Sequence, residues 1–100
     1  MNSAMGKTHS VSIGIPCYNE SQNITHLLES IRNQRFKHGC RIKEVIISDD
    51  SSDDTPTLIR RHFDKTNPHY SLKLFHHKVR RGEASALNEI MMEADGDFLV

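Results

Sequence analysis

The feature that most constrains this chain is a β-branched run, Val45-Ile46-Ile47, that closes on two acids, Asp49 and Asp50. With Ile42 upstream, the segment is apolar with little alternation. A strand with one wet face alternates, whereas a continuous apolar run marks a strand buried on both faces of a parallel sheet. Parallel strands cannot be joined by tight hairpins and need a crossover, usually a helix. The rest of the sequence supplies such crossovers. Val11-Ser12-Ile13-Gly14-Ile15 predicts a first strand, stopped by Pro16, which has no N–H to donate. Ile24, Leu27, Leu28 and Ile31 recur at i, i+3, i+4, i+7 and predict a helix, with Asn19 and Ser21 as N-cap candidates and Gly39 in the turn after it.

After the acidic pair, Ser51 and Ser52 offer caps and Pro56 suits a first helical turn. Leu58, Ile59, His62 and Phe63 give a second helical face, broken at Asn67-Pro68. Leu72, Leu74 and His76 predict a third strand. Gly82 precedes a third helix whose stripe, Leu87, Ile90, Met91 and Ala94, reads as core. Gly96 falls where a left-handed residue would end that helix. Phe98-Leu99-Val100 begins a fourth strand. The order β-α-β-α-β-α-β predicts an α/β fold, a Rossmann-like parallel sheet with flanking helices. Residues 11–100 read as one partial domain, and residues 1–10 as a disordered leader or remnant. A fourth strand that has only begun predicts a front part of a larger domain.

Composition narrows the function classes. Across 100 residues, 13 basic side chains balance 13 acidic ones, which gives no electrostatic case for nucleic acid. The chain shows no apolar run near the roughly 20 residues that span a bilayer, and residues 1–10 lack the apolar stretch of a secretory signal. The expected location is therefore cytoplasmic. The two cysteines, Cys17 and Cys40, make no disulfide framework. In that compartment Asn19-Glu20-Ser21 and Asn23-Ile24-Thr25 are chance matches to the glycosylation pattern. Cys17 or Cys40 with His76-His77 fits no common zinc spacing. The acidic run 49–54 lacks the glycine and glutamate of a calcium loop. No Gly-x-Gly-x-x-Gly or Walker loop is present.

In open α/β sheets, ligands bind beyond the carboxyl ends of the strands. Three polar segments fall at such boundaries: residues 16–20, residues 49–55 and residues 80–88. Taken as solvated loops, their acids are helix-cap groups favoured by the helix dipole. Asn19 suits an N-cap as well as it suits a ligand contact.

In order and spacing, SIGIPCYNE, EVIISDDSSDDT and RRGEASALNEIMMEADGDFLV resemble the successive blocks of family 2 glycosyltransferases, over residues 11–100. The resemblance implies a glycosyltransferase A-type fold, of which this would be the first half. It implies transfer of a sugar from a nucleotide-diphosphate sugar donor to a carbohydrate or lipid acceptor. Pro16, Tyr18, Asn19 and Glu20 match the first block, where the family shapes its nucleoside pocket. Asp49 matches the carboxylate that meets the base, and Asp50 and Ser52 the adjoining turn. Arg81, Gly82 and Asn88 match the third block, near the donor. Ser51 stands where the family has Gly, and Glu83 where it has Lys, so charge there would come from Arg80 or Arg81. The family's Asp-x-Asp, which holds Mg or Mn, and its catalytic base are expected beyond residue 100, so the fragment alone is expected to be inactive. Many members carry membrane helices downstream, which would place the domain at the inner face of a membrane. Asp95-Gly96-Asp97 is out of register for the metal motif, because it precedes the fourth strand, and reads as a helix-end turn.

Two rival readings accompany this one. An acidic pair after a parallel strand also occurs in phospho-receiver signalling modules, which would need an Asp where this third strand ends in His76-His77. An unfinished sheet with an open edge also predicts pairing of two copies.

Overall fold

The computed structural model describes residues 8–36 and 39–100. Four parallel strands, β1 (His9–Cys17), β2 (Cys40–Asp49), β3 (Ser71–His76) and β4 (Phe98–Leu99), are linked by helices α1 (Ile24–Arg32), α2 (Thr55–Thr66) and α3 (Glu83–Glu93). The sheet order is β3-β2-β1-β4, with every neighbouring pair parallel. The chain builds outward from β1 to β3 and then returns to the far side of β1. That reversal puts the topological switch point beside β1. β1 starts at His9, two residues before the predicted strand, so Ser10 and His9 are not part of a leader; residues 1–7 lie outside the described residues.

The β-branched run behaves as its pattern predicts. Val45, Ile46 and Ile47 are all fully buried. Val45 and Ile47 join Ile15, Cys17, Leu28 of α1 and Ile59 of α2 in one core. Ile46 faces the other way, toward α3, as strand alternation requires. A register shift between Val11/Ser12 and Ile42/Glu44 leaves Lys43 without a partner. This bulge lets Ile42 and Val45, an odd number of residues apart, serve the same core.

The other face is unusual for its polarity. Ser12, Glu44 and Ser48 are buried there. The Ser12 hydroxyl donates to Glu44 Oε2 at 2.6 Å, the Asp95 N–H donates to the same oxygen at 2.7 Å, and Lys73 Nζ lies 2.9 Å from Oε1. Burial alone would raise the Glu44 carboxyl, but these three donors outweigh it and hold the group at about 2. Lys73 also donates to the Glu93 carbonyl at 2.7 Å, and so satisfies an otherwise open acceptor at the end of α3.

Three local expectations are corrected. The α3 stripe is not core as a whole: Ala86 and Ile90 are buried, but Leu87 and Met91 are 47% and 67% exposed. Among the described residues α3 is the one helix on its face of the sheet, so only residues aimed straight at β1 and β2 are covered. Gly96 is not a left-handed cap, because the helix ends at Ala94 in an extended conformation and Gly96 has no positive φ. Gly96 instead permits close approach: a β-carbon there would lie 2.6 Å from Ser12 Oγ and 2.7 Å from Ser12 N. Neither Asn19 nor Ser21 caps α1, whose N-cap is Asn23, and neither Ser51 nor Ser52 caps α2, whose N-cap is Asp54. Those side chains are used between loops.

Candidate functional site

The loop after β1 turns on Asn19, a non-glycine residue at φ 51. Asparagine tolerates that left-handed conformation better than most residues. Its own N–H donates to Ser51 Oγ at 2.7 Å. Its Oδ1 accepts the N–H groups of Ser52 at 2.8 Å and Asp53 at 3.2 Å. The Glu20 N–H donates to Thr55 Oγ1 at 3.0 Å, and the Asp50 N–H to the Cys17 carbonyl at 3.0 Å. The loops that leave β1 and β2 are thus one hydrogen-bonded unit. Ser51, standing where a glycine is usual in the resemblance, earns its place through its hydroxyl, which binds both Asn19 and Asp49.

The acidic pair divides its work. Asp49 has no exposed surface. It accepts from the Ser51 N–H and hydroxyl, and its Oδ2 lies 2.8 Å from His76 Nδ1. Asp50 reaches the surface of the cleft. Its Oδ2 accepts the N–H groups of Arg81 at 2.6 Å and Gly82 at 3.1 Å, and its Oδ1 lies 3.1 Å from His77 Nδ1. Burial would raise the Asp50 carboxyl; the two backbone donors and the imidazole hold it below its ordinary value. Gly82, at φ 91, turns the chain into α3.

Between these loops lies a cleft of about 260 Å³, walled by Pro16, Cys17, Tyr18 and Glu20 on one side and by Asp50, Arg80, Gly82, Glu83 and Ala86 on the other. The Arg80 guanidinium carbon sits 4.1 Å from the Tyr18 ring centroid, a cation–π contact at the mouth. The Cys17 thiol is pushed up to about 12 by burial first and by Asp49 and Glu20 after it. Burial and these neighbouring acids favour the protonated thiol.

The predicted residues are only partly brought together. Pro16, Tyr18, Glu20, Asp50 and Gly82 line the cleft. Asn19 and Ser52 hold its rim, and Asp49 lies buried beneath it. Arg81 contributes its backbone, while its guanidinium leaves the cleft for Glu89 Oε1 at 3.1 Å. Asn88 does not reach the cleft: it is exposed and pairs with Met92 Sδ. Glu83 and Ala86 are the α3 residues on the wall, and two residues past Ala86 a helical side chain points away. Asp95 and Asp97 are engaged with protein partners. Asp95 Oδ2 pairs with Lys73 Nζ at 3.0 Å and Asp97 Oδ2 accepts the Ser10 N–H at 2.9 Å, so both acids latch α3 and β4 to the sheet. Among the described residues no cluster of three or more metal-ligating side chains occurs.

His76, His77 and Glu89 were missed. Glu89 accepts the Ser48 hydroxyl at 2.7 Å and the Arg81 guanidinium, and it faces His77 Nε2 at 3.3 Å. The signal was available in the register, since Asp49 pairs with His76 across β2 and β3. Parallel strands ending together place their last side chains side by side.

A parallel α/β sheet with a polar cleft beyond the carboxyl ends of β1 and β2 defines an open α/β fold of the class that takes ligands at that end of its strands. Residues 12–100 match the family described as Glycosyl transferase family 2, and the chain belongs to that family. It is 31% identical to the poly-beta-1,6-N-acetyl-D-glucosamine synthase of Staphylococcus epidermidis, over 90% of this chain and 20% of that protein. It is 30% identical to the dolichyl N-acetyl-alpha-D-glucosaminyl phosphate 3-beta-D-2,3-diacetamido-2,3-dideoxy-beta-D-glucuronosyltransferase of Methanococcus voltae, over 90% of this chain and 27% of that protein. Among solved structures, the mannosyltransferase PcManGT of Pyrobaculum calidifontis, in complex with GDP-Man and Mn2+, superposes with a TM-score of 0.74 at 29% identity, covering 93% of this chain and 26% of that one. The chain therefore spans between a fifth and about a quarter of these proteins' lengths. Nothing in these comparisons supports the phospho-receiver reading, and β3 ends in His76, which Asp49 holds.

Proposed function

We propose that the cleft between Tyr18 and Asp50 receives the nucleoside end of a nucleotide-diphosphate sugar, and that the complete protein transfers the sugar to an acceptor hydroxyl. The carrying observation is the cleft itself: an exposed aromatic ring, a cation above it and a fixed carboxylate facing both, at the switch point of a family 2 sheet. Tyr18 offers a stacking face for the base. Asp50 retains lone pairs able to accept from base or ribose donors. Arg80 supplies positive charge on the side where a diphosphate would lie. Asn19, Ser51 and Ser52 keep the two loops at the spacing the ligand needs.

A divalent cation beside the diphosphate would stabilise the leaving group as charge develops. Asp49, Asp50, Asp95 and Asp97 already hold protein partners, and Mg or Mn is proposed to draw its ligands from residues outside this set. The acceptor, a carbohydrate or a lipid, and an acceptor base are likewise assigned to other residues. We place the domain on the cytoplasmic side, at the inner membrane face where the acceptor is lipid-linked; no helix among the described residues is long and apolar enough to cross a membrane. The outer edge of β3 is unpaired within the sheet and is proposed to bind a second copy, a point read directly by light scattering.

The test is donor turnover. The complete protein, given a panel of nucleotide-diphosphate sugars with Mg or Mn, is expected to release nucleoside diphosphate, and the Asp50→Ala variant to release far less. The 100-residue chain is expected to release none. Failure of the complete protein to consume any donor, with or without sugar and lipid acceptors, would sink the reading.

A further inference from the structure

One histidine does more than the proposed donor contacts require. His77 is the residue after β3, and its side chain is 21% exposed. Nδ1 lies 3.1 Å from Asp50 Oδ1 and Nε2 lies 3.3 Å from Glu89 Oε2. An ionised carboxylate can only accept, so a ring set between two of them needs an N–H on both nitrogens. Neutral imidazole has one N–H, and its other lone pair would face a carboxylate oxygen. The two carboxylates belong to different parts of the fold: Asp50 directly follows β2 and Glu89 lies in α3. The same two acids hold the turn at residues 80–82, Asp50 through the Arg81 and Gly82 N–H groups and Glu89 through the Arg81 guanidinium. The His77 N–H also donates to the Asp49 carbonyl at 2.8 Å, which fixes the ring's base. The charged groups around the ring are therefore Asp50 and Asp49 from β2, His76 from β3, Arg81 from the turn and Glu89 from α3. The acids outnumber the cation that reaches them.

We propose that doubly protonated His77 is a positioning residue for the donor. It clamps Asp50 to Glu89, and so fixes the two acids that hold the turn carrying Arg80 over Tyr18. This rests on the nucleotide reading of the cleft. The sign follows directly. The clamp needs both ring N–H groups, so donor affinity is expected to fall, not rise, as pH increases. A site limited by protonation of Asp50 would weaken in the opposite direction.

The test uses the chain with 15N-labelled histidine, and UDP and GDP as probes, at about pH 6 and about pH 8. At the lower pH both His77 ring nitrogens are expected to carry protons. Nucleotide affinity is expected to fall about tenfold between the two, the weight of one charge-assisted contact. His77→Gln keeps a donor but no charge, and should bind weakly at both pH values. His77→Lys keeps a permanent cation and should retain affinity at the higher one. His69→Gln, on the exposed chain before β3, should follow the parent protein. A singly protonated His77 ring at the lower pH, or a pH dependence that survives in His77→Gln, would overturn the clamp and assign the effect to His76. Binding that ignores pH would overturn it while leaving the nucleotide reading standing. No binding of either nucleotide at any pH would overturn both.

Discussion

Asp50 Oδ2 accepts the Arg81 N–H at 2.6 Å and so ties the end of β2 to the turn that opens α3. Asp50→Ala would strand two backbone donors, those of Arg81 and Gly82. Leaving such groups unpaired costs about 1–3 kcal/mol, and for a domain of this size each kcal/mol lowers Tm by roughly 4–8 °C. Asp50→Asn keeps one acceptor oxygen and should fall between. Thermal unfolding by circular dichroism reads the ranking directly.

Glu44 predicts an acid-sensitive fold. Its carboxyl is held at about 2, below its ordinary 4.5, so its contribution to stability is present above that ordinary value and is lost as pH falls toward the folded one. The Glu44→Gln variant should be less stable than the parent protein near pH 7 and lose less further stability between about pH 4.5 and about pH 2. Parallel melting curves for the two proteins at several pH values would show the curves converging in acid; a constant gap would contradict the assignment.

Two glycines should respond for different reasons. At Gly96 a methyl group meets Ser12 Oγ and backbone, so Gly96→Ala is an overpacking change of about 1–3 kcal/mol. At Gly82 a methyl group meets nothing within 4 Å, but φ 91 with ψ 167 is a conformation essentially reserved for glycine, so Gly82→Ala carries backbone strain of about 1–3 kcal/mol. Asparagine tolerates positive φ only in the left-handed helical region, and Gly82 has ψ 167, so Gly82→Asn should be no more stable than Gly82→Ala, whereas Gly96→Asn should be worse than Gly96→Ala. Urea unfolding midpoints separate the two patterns.

Asn19 predicts loop coupling. Asn19→Gly relieves its positive φ but removes the Oδ1 that receives Ser52 and Asp53. The substitution should leave the core intact and speed amide hydrogen exchange at Ser52 and Asp53, with the exchange of Val45 to Ile47 unchanged.

The helices and strands were legible because their apolar spacing is set by burial. Val45, Ile46 and Ile47 could only belong to a doubly covered strand, and Ile24, Leu28 and Ile31 only to one helical face. Where reading failed, the deciding partner was remote in sequence. Gly96 looks like a helix terminator until Ser12 is seen against it, 84 residues away. Leu87 and Met91 carry the same spacing as Ile90, but spacing cannot say how many helices cover a face. The acidic pair announced the cleft, yet which carboxylate lines it depended on His76 and His77, whose role appears once the β2–β3 register is known. Asn88 matched by motif and was lost by helix geometry.

The central claim is that a nucleotide occupies the cleft between the β1 and β2 loops and the start of α3. The most direct measurement is a titration of UDP and GDP into the 15N-labelled chain, followed amide by amide. The account predicts saturable shifts concentrated at Tyr18, Asp50, Gly82 and Ala86, and their loss in Asp50→Ala at a temperature where that variant remains folded. Shifts absent from those residues, or gathered instead in the groove between α1 and α2 at Arg32, Arg61 and Lys65, would contradict it.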